Sequence, residues 1–242
     1  MERILFFSHG DKGGVGKSVV STLAIEFFLD GGPVALVETD PRQPDVAVRY
    51  QNDPDVTTVT SSMNRAGDSE NALTKFGLWL ETERPDQVVV NLPSGAGETI
   101  DEHSELIRSV ADQLGYRLVV VYGLEKGPVA TAVMIESLKN GLLSVVEREN
   151  RFVAYPLYKG DQEVFEWHKS KERKDGLIGE ITIPALKSTS ALSKLEKTPG
   201  RLSALTAFET MPPGWMIIEQ ASVRRWYKTG LESIGPVLMG RE

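Results

Sequence analysis

GDKGGVGKS, residues Gly10–Ser18, stands between the apolar run RILFFS (Arg3–Ser8) and a helical run that starts at Lys17 and reaches about Asp30. A glycine-rich turn between a strand and a helix frees backbone N–H groups to curl around an anion, and the helix N-terminus adds partial positive charge. In that frame Lys17 contacts the β and γ phosphates of a nucleoside triphosphate, and the Ser18 hydroxyl takes one position on magnesium. Asp11, Lys12, Gly13, Gly14, Val15, Gly16 and Val19 complete the cradle. Working outward, VALVE (Val34–Glu38) ends in Thr39-Asp40-Pro41, and QVVVN (Gln87–Asn91) ends in Leu92-Pro93-Ser94-Gly95. Both are continuous apolar runs, as in strands covered on both faces.

Further strands are expected at Arg117–Tyr122, Phe152–Tyr158 and Leu177–Ile183. Helices are expected over Ser69–Thr82, Thr99–Leu114 and Pro128–Arg148. Alternating strands and helices predict an α/β fold: a mostly parallel, doubly wound sheet with helices on both faces, as one P-loop domain over 1–242. Residues 187–213 read as irregular, followed by a closing helix over 215–238.

Composition narrows the chemistry. The chain has 242 residues and no cysteine, which excludes disulfides, thiolate metal sites, iron–sulfur clusters and cysteine nucleophiles. Three dispersed histidines argue against a histidine metal site, and a net charge of −7 argues against a surface that is one nucleic-acid footprint. No apolar run approaches the roughly 18 residues needed to span a bilayer, and the N-terminal run is too short for a signal peptide, so a cytoplasmic protein without membrane attachment is expected.

The strict pattern G-x-x-x-x-G-K-[ST] does not fit, because Asp11 stands at its first glycine; K-G-G-x-G-K-[ST] does, with a second lysine at Lys12. On these residues the chain resembles the ParA/MinD family of deviant phosphate-loop ATPases. The resemblance implies ATP and Mg2+ as cofactors and a nucleotide-dependent homodimer in which Lys12 reaches the partner's phosphates. It implies that Asp40 orients or deprotonates the attacking water, with Asp40 and Glu38 near magnesium. It also implies an aspartate where this chain has Asn91, an amide that can still accept from a metal-bound water but carries no charge. Slow or absent hydrolysis without a partner follows. Pro93–Gly97 corresponds to the second switch loop, and Pro184 stands where a loop proline packs on adenine.

The whole length is also similar to the TraL/MobD-type proteins of conjugative and mobilisable plasmids, through KGGVGKSVV, Asp40-Pro41, IPALK (Ile183–Lys187) and Val223-Arg224-Arg225. That resemblance implies a role in plasmid transfer, mobilisation or maintenance, with a plasmid transfer or partition protein as partner. Two alternatives stay open: a nucleotide-binding module with little hydrolysis, and a dethiobiotin-synthetase-like ATP-dependent ligase. DNA binding also stays open. Arg224, Arg225 and Lys228 have the spacing of one positive helix edge, against which stands a plain solvated face. His9 reads as strand-end packing or a phosphate contact, and Trp167-His168 as core packing or a partner dock.

Overall fold

The computed structural model describes residues 2–40, 43–61 and 69–240. Seven strands form one parallel sheet in the order β3-β2-β4-β1-β5-β6-β7. They are β1 (Arg3–His9), β2 (Val34–Glu38), β3 (Val56–Thr60), β4 (Gln87–Asn91), β5 (Tyr116–Gly123), β6 (Arg151–Pro156) and β7 (Gly179–Ile183). The central strand β1 is paired on both sides, Phe6 standing opposite Val89 of β4 and Val119 of β5. The helices are α1 (Lys17–Leu29), α2 (Asp45–Tyr50), α3 (Ser69–Glu83), α4 (Gly97–Glu102), α5 (Ser104–Leu114), α6 (Pro128–Asn140), α7 (Lys171–Lys174), α8 (Thr189–Lys197), α9 (Leu202–Leu205) and α10 (Ile217–Met239).

Side-chain alternation sends each strand's residues into two cores. Leu5, Phe7, Val88, Val90, Leu118 and Val120 face α3, α5 and α6, where Phe76, Leu80, Ile107 and Met134 meet them. Ile4, Phe6, Val89, Val119 and Val121 face the other way, toward Leu23, Ile25, Val223 and Trp226 of α1 and α10. The doubly wound sheet with helices on both faces is therefore as expected. In such a sheet, ligands bind outside the carboxyl ends of the strands where crossovers diverge. Here β1 is that place: α1 carries the chain from β1 across to β2, whereas β4 leads to β5 on the opposite side.

Several expected elements differ. The helix read over Thr99–Leu114 is two, because His103 leaves helical geometry at φ −103° and ψ 17°. The helix read over Pro128–Arg148 ends at Asn140, since Gly141 is extended at φ −114° and ψ −153°. A side chain at Gly141 would run into the Asp101 carboxylate, whose Oδ1 accepts from Ser137 Oγ and Leu142 N at 2.7 Å each. Residues 187–213, read as irregular, contain α8 and α9. Ser188 caps α8 by accepting from Ala191 N, and Leu195 and Leu202 bury into the α1–α10 core. The closing helix runs to Met239 straight through Pro236, which has no N–H to give to the carbonyl of Glu232 one turn earlier. Strand β3 was absent from the expected set; VTTVT shows too little apolar pattern because only Val56 is buried.

Candidate functional site

The glycine loop closes on itself at the carboxyl end of β1. Lys17 is 8% exposed and donates from Nζ to the carbonyls of Gly10 (3.0 Å) and Lys12 (2.8 Å). Burial pulls its pKa down to about 8, against the opposing pull of Asp11 and Asp40. Ser8 Oγ donates to Lys17 O at 2.8 Å, locking the first residue of α1 onto β1. Two glycines are dictated by geometry. Gly14 and Gly16 have φ of 70° and 95°, and a Cβ on Gly16 would lie 2.5 Å from Ile183 Cδ1. Lys12, Gly13 and Gly14 are exposed, Asp11, Ser18 and Val19 half-buried, and Val15 buried. The exposed first half of the loop carries Lys12, and the sealed second half carries Lys17.

The ends of β2 and β4 meet beside it in a buried polar chain. Ser21 Oγ donates to Asn91 Oδ1 at 3.0 Å, and Asn91 Nδ2 donates to both oxygens of Glu38 at 3.0 and 3.2 Å. Glu38 is fully buried, and that burial raises its pKa against the lowering effect of Asn91 and of the backbone N–H groups of Asp40 and Ala47. The half-buried Asp40 follows, its N donating to Glu38 Oε1 and its Oδ1 accepting from Gln43 N, each at 3.2 Å. Pro41, the proline of the expected Asp-Pro pair, lies outside the described residues. Asn91 is thus a side-chain donor to the one carboxylate buried in this corner, beside the backbone N–H groups of Asp40 and Ala47. Asn91→Asp would set two buried carboxylates within hydrogen-bond distance, so one must take a proton or the pair must separate. The expected result is a loss of roughly 1–3 kcal/mol, read as a fall in Tm of about 2–4 °C per kcal/mol for a chain of this size. An unchanged or higher Tm would show that Asn91 is not needed as a donor.

The loop Pro93–Gly97 packs directly on the phosphate loop: Gly95 N donates to Asp11 O at 2.9 Å, and a Cβ on Gly13 would meet Ser94 Oγ at 3.2 Å. His9 is strand-end packing. It is buried, edge-on to Tyr122 at 4.7 Å, with Nε2 3.4 Å from Asp101 Oδ1 of α4. Three residues not anticipated from sequence border the loop from the other side. Tyr158 Oη donates to Gly14 O at 3.0 Å, and its pKa is pushed up to about 12 by burial and by Glu125. Lys159, whose Nζ would be 4.0 Å from a Cβ on Gly14, pairs with Glu125. Their signal lay in position: Tyr158-Lys159 and Glu125 both follow the carboxyl ends of strands.

Pro184 is buried next to Ile183, whose side chain stands beside Gly16, and the Pro184 carbonyl accepts from Trp226 Nε1 at 2.9 Å. The positive edge loses a member, because Arg224 donates to Thr206 O at 2.6 Å and lies 3.6 Å over the Phe208 ring. Arg225 and Lys228 remain exposed. Trp167 is wholly buried and donates to Glu180, which makes it core. Among the described residues no helix is long and apolar enough to cross a membrane.

No protein-family model matches the chain. Over 133 residues it is 26% identical to Protein MobD of Acidithiobacillus ferrooxidans, a stretch that is 52% of this chain and 53% of that protein, so about half the length of that relative is spanned. Among solved structures it is similar to the septum site-determining protein MinD complexed with Mg-ADP from Pyrococcus horikoshii OT3. That likeness has a TM-score of 0.51 at 12% identity and covers 96% of this chain and 95% of that one. It is also similar to the cell division protein FtsY from Thermotoga maritima, with a TM-score of 0.50 at 12% identity over 76% of this chain and 63% of that one. A seven-stranded parallel sheet with the glycine loop between β1 and α1 is the P-loop NTPase fold, in the form that MinD and FtsY also carry, and the likeness to MobD supports the ParA/MinD-like resemblance.

Proposed function

We propose that the chain is an ATP- and magnesium-dependent switch of the ParA/MinD kind, with weak intrinsic hydrolysis, acting in plasmid transfer, mobilisation or maintenance. One observation carries the nucleotide reading: a desolvated lysine, Lys17, held on loop carbonyls at the carboxyl end of the central strand, where the N-terminus of α1 begins. An ammonium there exchanges two carbonyl contacts for phosphate oxygens with little reorganisation. The plasmid role rests on the likeness to MobD.

The donor set fits magnesium. Ser18 in the first turn of α1, Glu38 and Asn91 at the ends of β2 and β4, and Asp40 just after β2 offer hard oxygen donors. Among the described residues no group of three or more His, Cys, Asp or Glu could hold a metal alone. That matches a cation held largely by substrate phosphates and water. When bound, magnesium neutralises charge on the phosphoryl oxygens. Ser18 offers its hydroxyl to the ion, Glu38 and Asn91 orient water around it, and Asp40 orients the attacking water. Exposed Lys12 is donated to the facing subunit's phosphates. Trans stabilisation of this kind is worth on the order of 10³ to 10⁵ in rate, so hydrolysis rises when two subunits close. The contact from Gly95 to Asp11 lets the second switch loop register the change.

A binding module with little turnover is the second reading, favoured by the commitment of the Asn91 amide to Ser21 and Glu38. Calorimetry with ATP and GTP in magnesium, phosphate release, and gel filtration with a slowly hydrolysed ATP analogue separate the two. The switch requires ATP binding, slow phosphate release and a dimer formed with the analogue. Lys12→Ala is expected to keep ATP binding and lose the dimer. A monomer under both conditions sinks the switch, ATP binding without phosphate release selects the module, and binding of neither nucleotide sinks both.

A further inference from the structure

The first turn of α10 and the loop that leads into it carry an apolar surface that nothing covers among the described residues. Phe208, Met216, Ile217 and Ile218 are between 65% and 81% exposed, and Met211 is exposed as well. Monomeric chains rarely leave several large apolar side chains together in water, and a contiguous patch of this kind marks an interaction surface. The loop is held firmly. Gln220 Nε2 donates to the carbonyls of Leu205, Ala207 and Thr210 at 3.1, 3.0 and 2.7 Å. Arg224 donates to Thr206 O, and its guanidinium lies 3.6 Å over the Phe208 ring. Phe208 is thus presented to solvent by a fixed backbone, so little order has to be gained there on binding.

The charge beside this patch says what fits it. At the helical period, Ile217, Ala221, Arg225, Ile218 and Ser222 succeed one another around the outer face of α10. Phe208 stands at one margin of that face, against Arg224. At the other margin a cleft of about 130 Å³ opens between α10 and the segment after β7, its lining including Lys187, Ser188, Ser222, Arg225 and Thr229. Ser222 Oγ donates to Ile218 O at 2.7 Å, so the apolar turn runs directly into the cleft. Lys187 and Arg225 are exposed and enter no ion pair among the described residues, whereas the nearby Lys194 and Lys228 are paired with Glu219 and Glu232. An apolar strip that ends in two uncommitted cations is complementary to an amphipathic segment bearing carboxylates. A second copy of the face is a poorer match, because Glu209 is its only exposed acid between Phe208 and Lys228. An anionic bilayer is also a poorer match: the two cations stand on one side of the apolar residues, around a recess, and the chain carries a net charge of −7.

We propose that this face docks an acidic amphipathic segment of a partner protein, whose apolar side chains lie on Phe208, Ile217 and Ile218 and whose carboxylate pairs with Lys187 and Arg225. The surface needs no nucleotide, so its failure would leave the triphosphate reading untouched.

The test is fluorescence anisotropy of the full chain with three short, labelled helical peptides. One carries leucines on one face and glutamates among alanines on the other; the second has lysines in place of the glutamates, and the third has serines in place of the leucines. The glutamate–leucine peptide is expected to bind and the other two are not. Arg225→Gln is expected to weaken binding about tenfold or more, the scale of one charge-assisted hydrogen bond. Ile217→Ser combined with Ile218→Ser, both exposed positions, weakens it at least as much, while thermal melting and ATP affinity stay unchanged in both variants. Absence of binding by the glutamate–leucine peptide at millimolar concentration, equal binding by the lysine peptide, or full binding by either variant overturns the proposal. A fall in ATP affinity with Arg225→Gln also overturns it, because the cleft would then belong to the nucleotide. Binding to vesicles of phosphatidylcholine and phosphatidylglycerol that the isoleucine variant loses would identify a lipid surface, and a nucleotide-free dimer that the same variant dissolves would identify a second copy; either result replaces the acidic segment and overturns the proposal.

Discussion

Lys17→Ala is expected to reduce ATP affinity at least about 100-fold while leaving the chain folded. The side chain is aimed into the loop by its own backbone: α1 starts at Lys17, and Nζ bridges the carbonyls of Gly10 and Lys12. When phosphate takes their place, two charge-assisted contacts are formed at roughly 1.5–3 kcal/mol each. Every 1.4 kcal/mol is about a factor of ten. Loss of both contacts therefore spans roughly two to four decades. The same substitution costs the fold little, because an alanine suits a helix start and a desolvated ammonium is removed. Burial already holds the Lys17 pKa down at about 8, which shows the charge to be poorly solvated where it stands. The measurement is calorimetry of ATP with magnesium on both proteins, alongside thermal melting. An affinity within threefold of wild type would mean that the loop does not grip phosphate, and the nucleotide reading would fall with it.

The contrast between what could and could not be read in the chain follows from the range of the interactions. The β1–loop–α1 unit is local: the φ of 95° at Gly16 calls for glycine, and the β1 residues before the loop alternate between the two cores. Strands β2 and β4 were legible because both their faces are covered, leaving unbroken apolar runs. Strand β3 was not, because it pairs only with β2 at the sheet edge and presents threonines to solvent. Asn91 shows the same limit at the site. Read alone, it is an amide where a family aspartate is expected; in the fold it is a side-chain donor to Glu38. Tyr158 touches the phosphate loop from 144 residues away in the chain, a distance over which no spacing rule operates. Helices α8 and α9 escaped for a related reason. Their serine, threonine and proline content looks loop-like, and what fixes them is burial of a few residues such as Leu195 and Leu202, with backbone N–H groups tied to α1.

That tie is Glu26, and Glu26→Ala is expected to be the most destabilising single substitution outside the phosphate loop. The carboxylate lies in α1, more than two turns beyond Lys17, and is 2% exposed. It accepts four hydrogen bonds: from Tyr50 Oη at 2.8 Å, Tyr227 Oη at 3.1 Å, Leu202 N at 2.6 Å and Ser203 N at 3.0 Å. One side chain thereby joins α1 to α2, to the start of α9 and to α10. Alanine would leave two backbone N–H groups and the Tyr227 phenol without this acceptor, leave Tyr50 Oη only the Thr22 carbonyl at 3.5 Å, and open a void among Tyr50, Tyr227 and Leu202. Removing one partner of a buried charged network costs about 3–5 kcal/mol, and at 2–4 °C per kcal/mol this corresponds to a fall in Tm on the order of 10 °C. Glu26→Gln keeps one acceptor oxygen but turns an amide donor toward donors, so its loss should fall between wild type and alanine. Tyr50→Phe and Tyr227→Phe, each removing one donor instead of the shared acceptor, should cost about 1 kcal/mol apiece and become nearly silent in the Glu26→Ala background. Urea unfolding of the five proteins and the two double variants measures all of this. A loss below about 1 kcal/mol for Glu26→Ala would show that α9 is held to α1 by apolar packing alone, and tyrosine effects that persist without Glu26 would show that the phenols act through other contacts. Should the full loss appear, the segment after β7 is anchored through the same helix that carries Lys17 at its other end. Nucleotide contacts at the N-terminus of α1 and the docking of α9 and α10 at its C-terminal half would then share one rigid element.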